Sequence, residues 1–276
     1  MQADDSANPA GFRRVRQQLL AEYHFEKPPV NRCCSFLRSS IGKKLLVALT
    51  GVILIAFVIG HLLGNLQFFA GPHVINEYGT KLRHLPFGGL WVVRIGMLVA
   101  VVLHIVTTIT LVIENRAAKG AGYVKKASVQ AKIATRLMAL SGIILLSYIV
   151  FHLLHFTTHN INPAYGTWMD GEDHDVYRMI VAGFSNKAVS IFYIIAMVLL
   201  AMHLSHGAAS LFQTLGLRTK KMACRLGLVA QIFAWVICAG YVSIPVAVMA
   251  GFYDKQHISN ADEPSCCAAP ATKGAK

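Results

Sequence analysis

Charge is scarce in this chain. Only 14% of its 276 residues are charged, and Asp and Glu number 13 against 26 Lys and Arg. Five apolar segments, at 45–69, 90–113, 137–157, 188–211 and 226–252, contain no acidic residue, and Glu114 stands at a boundary. A proton relay needs acids and histidines chained along one path, so this composition argues against one. Spaced cysteines are missing too. Cys33-Cys34 and Cys266-Cys267 are adjacent pairs, and Cys224 and Cys238 lie at or within the last apolar segment. Zinc and iron–sulfur sites use spaced pairs, and a cysteine in an apolar helix behaves as a small apolar residue. No glycine-rich nucleotide fingerprint is present, so no dinucleotide-binding fold is expected. The first 40 residues are polar and basic, without the apolar core of a cleavable signal. The acidic run at 170–175 lacks an EF-hand pattern and reads as a solvated loop.

What remains is apolar: 55% of the residues are hydrophobic. Each of the five segments exceeds the ~20 residues needed to cross a ~30 Å hydrocarbon core. The expected fold is an all-α membrane protein with five transmembrane helices. Lys and Arg set its orientation. They crowd the N-terminal arm (Arg13, Arg14, Arg16, Lys27, Arg32, Arg38, Lys43, Lys44), the loop after the second segment and the loop after the fourth. The alternate loops and the tail hold few: Lys81, Arg83, Arg178, Lys187, Lys255, Lys273 and Lys276. The N-terminus is therefore expected inside and the C-terminus outside. The domains are an arm at 1–40, a membrane domain at 41–253 and a short outer tail at 254–276, for which disorder is the default. The formal charge of +13 is mostly this topology signal. Nucleic-acid binding is not expected, because no basic–aromatic surface accompanies the charge. The inner basic face suits an acidic partner.

Four histidines lie deep in four separate segments: His61, His104, His152 and His203. An ionisable group in hydrocarbon is costly and marks a functional candidate. One per helix, at matching depths, is the pattern of axial ligands for two haems b.

An internal repeat sharpens this. Residues 48–63 read ALTGVILIAFVIGHLL, and residues 139–154 read ALSGIILLSYIVFHLL. Both carry A-L-[TS]-G, then His ten residues after the Gly, then Leu-Leu. The first and third helices are copies of one unit, and His152 rather than His155 corresponds to His61. A vaguer likeness, VVLHIV against LAMHLS, pairs His104 with His203.

Depth gives the same pairs. At ~1.5 Å per residue, His61 and His152 lie roughly 22–24 Å from the inner boundary, near the outer side. His104 and His203 lie roughly 21–23 Å from the outer boundary, near the inner side. The bundle of the first four helices then holds two stacked layers on the order of 15 Å apart. Each layer offers two imidazoles to one iron. Bis-His ligation leaves no open position, so electron transfer across the membrane is expected rather than oxygen binding.

Other residues carry two readings each. Gly51 and Gly142 give clearance for a flat macrocycle or serve small-residue helix packing. His155 and His206 follow a proposed ligand by three residues; each is a substitute ligand, a propionate partner or part of a quinone pocket. Arg94 and Arg136 are propionate partners or snorkel at the interface. His73, His84, His159, His174 and His257 fall in outer loops or the tail and read as solvated.

The chain resembles the cytochrome b subunit of succinate dehydrogenase and fumarate reductase, in its single-chain, five-helix, di-haem form. The resemblance covers residues 36–252. It is carried by GHLLGN around His61, Leu85-Pro86-Phe87, LHIV at His104, the SGII and FHLL pieces at 141–154, and MHLSHG with the LG at 215–216. Their order, spacing and depth are specific together, not singly. The resemblance implies the same histidine pairs, with His61 and His152 on the distal haem and His104 and His203 on the proximal one. It implies a flavoprotein partner with covalent FAD and an iron–sulfur partner, docked on the basic inner face. It implies a membrane quinone, menaquinone in the di-haem form, with Asn65, Gln67, Glu77 and Arg83 as polar candidates near the outer haem. The location implied is the bacterial cytoplasmic membrane, in lipid, with homo-oligomers of the complex open. This chain would not itself bind succinate. Some fumarate reductases of this form carry Glu two residues before the fourth-helix ligand, where this chain has Ala201. That departure favours succinate oxidation. Two alternatives stand beside this reading: a di-haem subunit of another quinone-linked dehydrogenase, and a haem-free transporter.

Overall fold

Backbone amides have no water partner in hydrocarbon, so an apolar chain crossing it coils into helices that satisfy themselves. The computed structural model follows that rule. It describes residues 36, 38–118, 129–217, 219 and 222–262, with backbone alone at 129–137, 139, 173 and 260–262. The chain divides into two units, Met1–Lys43 and Lys44–Lys276. In the first, Ser39 precedes the opening helix; its hydroxyl donates to the Phe36 carbonyl (2.6 Å) and accepts from the Gly42 amide (3.0 Å). The Gly42 bond is an N-cap, satisfying an amide the helix leaves free. Most of the expected arm at 1–40, with Cys33-Cys34, lies outside the described residues, as do the tail from 263 onward and Cys266-Cys267.

Five helices are long and apolar enough to cross a membrane. They are α1 (Ser40–Leu66), α3 (Gly89–Ala117), α4 (Val129–His152), α6 (Lys187–Thr214) and α7 (Ala223–Met249). Between them lie the shorter α2 (Pro72–Arg83) and α5 (Val176–Ser185), and α8 (Lys255–Asp262) follows α7. A two-residue hairpin, β1 (Met169–Asp170) with β2 (Asp173–His174), precedes α5. Gly171 takes the positive φ its turn requires.

The tightest helix pair is α6 with α7. Small residues make it: Ala196, Ala201 and Ala234 are buried and let the backbones approach. Leu62 of α1 packs into the same cluster. It sits so close to Gly240 that a Cβ there would come within 2.9 Å of its Cδ2. On α3, by contrast, Val92, Ile95 and Leu98 are exposed, as suits a helix facing lipid. A second cluster gathers Phe68, Ile75 of α2, Tyr177, Ile180 and Phe184 of α5, Tyr193 near the start of α6, and Ile244 and Val248 near the end of α7. The short helices therefore close over the bundle end where α6 starts and α7 finishes.

Three elements differ from the sequence reading. First, α4 leaves regular geometry at His152 and continues as a π turn, Leu153–Thr157. The Thr158 amide donates to the Leu153 carbonyl (2.8 Å), one residue further back than in an α-helix. Second, the acidic run is not a solvated loop throughout, because Asp175 is only 1% exposed. One of its oxygens accepts from the Arg178 amide (2.9 Å), capping α5, and from Asn76 Nδ2 (3.2 Å). The other pairs with His257 Nε2 at 3.0 Å. Third, the tail after 254 is not unstructured at its start. α8 is held by that His257–Asp175 hydrogen bond, and its Ile258 packs on the second cluster. His174 and His257 are thus built into the fold rather than solvated.

Candidate functional site

The repeated segments in α1 and α4 bring their histidines together. The His61 and His152 ring centroids lie 5.9 Å apart, with planes crossed at 81°. Aromatic rings hold both. Phe57 stacks on His61 at 5.2 Å, and Tyr241, whose hydroxyl donates to the Val58 carbonyl (2.8 Å), lies 6.2 Å from the same imidazole. Tyr148 stacks on His152 at 5.8 Å, while the Tyr193 hydroxyl approaches His152 Nδ1 at 3.4 Å.

The other two histidines, on α3 and α6, are seated on the same repeat. The Thr50 hydroxyl lies 3.1 Å from His104 Nδ1, and the Ser141 hydroxyl 3.2 Å from His203 Nδ1. The next residue is glycine in each case. A Cβ on Gly51 would lie 3.7 Å from His104 Cε1, and one on Gly142 the same distance from His203 Cε1. Each imidazole thus rests its Nδ1–Cε1 edge on a hydroxyl-glycine step of a neighbouring helix.

The His61–His152 pair has the spacing of two ligands to one haem iron. With metal–nitrogen bonds of about 2 Å and about 1 Å from each nitrogen to its ring centre, two imidazoles on one metal stand about 6 Å apart. The 5.9 Å between His61 and His152 matches that span. Among the described residues no group of three or more His, Cys, Asp or Glu side chains forms a metal site. A zinc site needs three or four such ligands, whereas a bis-His haem takes two from the protein.

The other candidates are scattered. His155 is fully buried, its Nδ1 3.2 Å from the Tyr193 hydroxyl and its ring 4.1 Å from Phe156. Gly183 of α5 makes room for these rings, since a Cβ there would meet Phe156 at 2.6 Å. His206 is exposed on α6. The Arg94 guanidinium lies 5.1 Å from the Trp91 ring. The backbone of Arg136 lies in α4, and its side chain is outside the described residues. Of the quinone candidates, Asn65 donates to the His61 carbonyl (2.7 Å), and Gln67 begins the turn after α1. Glu77 pairs with Lys81 at 2.7 Å, and Arg83 is exposed at the end of α2. Ala201 is buried against α7.

Sequence reasoning missed Thr50, Ser141 and Tyr193. The signal for the first two was on view in A-L-[TS]-G, where only the glycine was given a role. Tyr193 had no signal, because its partners lie on another helix. Comparison with family models, curated proteins and solved structures gives no match.

His174 is a buried titratable group outside the spans. His174 Nε2 has no hydrogen-bond partner among the described residues, and its ring stacks on His159 at 5.6 Å. Burial, then the Arg83 guanidinium and the His159 imidazole, hold its pKa below the usual histidine value, against the opposing Trp168 carbonyl and Asp175. The unfolded chain, titrating near 6.5, then binds more protons than the native one below that pH. The stability contributed by neutral His174 is fully present above about 6.5 and is lost as pH falls through the lowered native value. Thermal midpoints should drop between about pH 7 and about pH 5, and less steeply in His174→Asn. Equal slopes in the two proteins would contradict this.

Proposed function

We propose that this chain is the membrane-anchor cytochrome b subunit of a succinate:quinone oxidoreductase in a bacterial cytoplasmic membrane. Its role is electron transfer between an iron–sulfur partner subunit and a membrane quinone, menaquinone by the resemblance, with succinate oxidation favoured. Its N-terminus is inside and its C-terminus outside. The observation that carries this reading is the pairing of histidines from separate spans. His61 and His152 stand at the spacing for one iron, and His104 and His203 are seated alike on the two copies of the repeat.

Haem b, when bound, supplies a one-electron couple. The chain's own residues do the rest. His61 with His152, and His104 with His203, would each hold one haem through two imidazoles, a ligand set suited to electron transfer. Tyr148, Phe156 and Tyr193 pack around His152, and Phe57 and Tyr241 around His61, which holds both rings and keeps water from them. Arg94 and Arg136 are the cations offered to propionates, and Asn65, Gln67, Glu77 and Arg83 the polar groups offered to quinone. The basic segments on the inner side dock the iron–sulfur subunit, which in turn holds the flavoprotein with its FAD. Mass identification of the subunits that co-purify with the tagged chain tests this. A flavoprotein and an iron–sulfur protein are expected. A hydrogenase, formate dehydrogenase or nitrate reductase would move the chain to another quinone-linked enzyme.

A further inference from the structure

Imidazole ligates iron through a lone pair, so the proton of a neutral axial histidine must sit on the other nitrogen. Which nitrogen carries it is set by the hydrogen bond that nitrogen makes. At both hydroxyl-glycine steps the hydroxyl's own proton has another destination. Thr50 Oγ1 donates to the Leu46 carbonyl at 2.8 Å, with the Val47 carbonyl at 3.1 Å. Ser141 Oγ donates to the Met138 carbonyl at 3.1 Å. A hydroxyl has one proton and two acceptor lone pairs. With the proton spent on the helix backbone, only a lone pair faces the imidazole.

The geometry points to Thr50 and Ser141 as positioning residues for one haem iron: each accepts the Nδ1 proton of its partner, His104 or His203, and so presents that ring's Nε2 lone pair to the metal. The inference rests on the two-haem reading above and deepens it. The helix backbone fixes the hydroxyl, the hydroxyl fixes the tautomer, and the following glycine leaves room for the ring edge. The sequence copied the device together with the ligand, since Thr50 and Ser141 occupy the same place in the repeat. Both hydroxyls are buried, so water is poorly placed to replace either. An accepted Nδ1 proton makes the imidazole more basic and a stronger donor to ferric iron. Losing the acceptor therefore favours the ferrous form.

The test is a redox titration of the purified complex, followed optically and by electron paramagnetic resonance of the ferric haems. Thr50→Val should retain two haems and shift the ferrous/ferric equilibrium of one of them by about tenfold, a rise of about 59 mV for one electron. Ser141→Ala should move the same haem in the same direction, and Thr50→Ser should restore the wild-type value. The other haem should stay in place in all three. Unmoved potentials in Thr50→Val and Ser141→Ala, with both haems retained, would overturn the inference alone. So would shifts falling on two different haems, or a loss of both haems in Thr50→Val that Thr50→Ser does not repair. A wild-type complex without haem would overturn the proposed function and this inference with it.

Discussion

Replacing His152 with alanine should leave one b-type haem per chain instead of two. His152 faces His61 at a spacing that suits one iron, and among the described residues no other histidine ring packs on His61. The nearest substitute is His155, but the π turn after His152 sends its side chain into an aromatic box. There it is fully buried beside Phe151, Phe156, Tyr165 and Tyr193. Reaching the iron would mean leaving its contact with the Tyr193 hydroxyl and opening that box. The second haem should be spared, because His104 and His203 take their support from Thr50 and Ser141 rather than from His61 and His152. Pyridine haemochrome content and the reduced-minus-oxidised spectrum read this directly. Two haems with unchanged potentials in His152→Ala would refute the ligand assignment.

Asp175→Ala should cost the protein roughly 2–4 kcal/mol, the sum of a lost N-cap and of partners left without an acceptor. The carboxylate is 1% exposed and joins elements far apart in the chain: α2 through Asn76, the start of α5 through the Arg178 amide, and α8 through His257. Asn76 extends the network, donating to Asp170 (3.0 Å) and accepting from the Tyr177 amide (3.0 Å). The Tyr177 hydroxyl in turn accepts the Asp254 amide (2.7 Å). Asp175→Asn should be milder, because the amide oxygen keeps the cap and only the contact with His257 is altered. Thermal inactivation in detergent ranks the three proteins. An Asp175→Ala variant as durable as wild type would show that the network adds nothing.

The membrane helices were legible because hydrocarbon leaves the chain little choice. Hydropathy located all five, but it reports the span and not the whole helix. α4 begins at Val129, eight residues before its expected start, because its polar first turns continue the helix beyond the apolar stretch. The repeat was legible as well, and it singled out His152, which the structure sets against His61. What the pattern could not reveal depends on partners distant in sequence. Asp175 looks like any residue of an acidic loop until Asn76 and His257 arrive beside it. The π turn has no period of its own, so the aromatic box that receives His155 could not be read from spacing. The short helices α2 and α5 lie below the length that hydropathy detects, and their apolar faces become meaningful only against Phe68, Tyr193 and Val248.

If four histidines hold two haems, a haem count will show it. The measurement is a pyridine haemochrome assay on the purified membrane complex, normalised to this chain. Two b-type haems per chain are expected. A complex that is intact and carries none would contradict it, and would leave the four histidines as helix contacts in a bare anchor or a transporter.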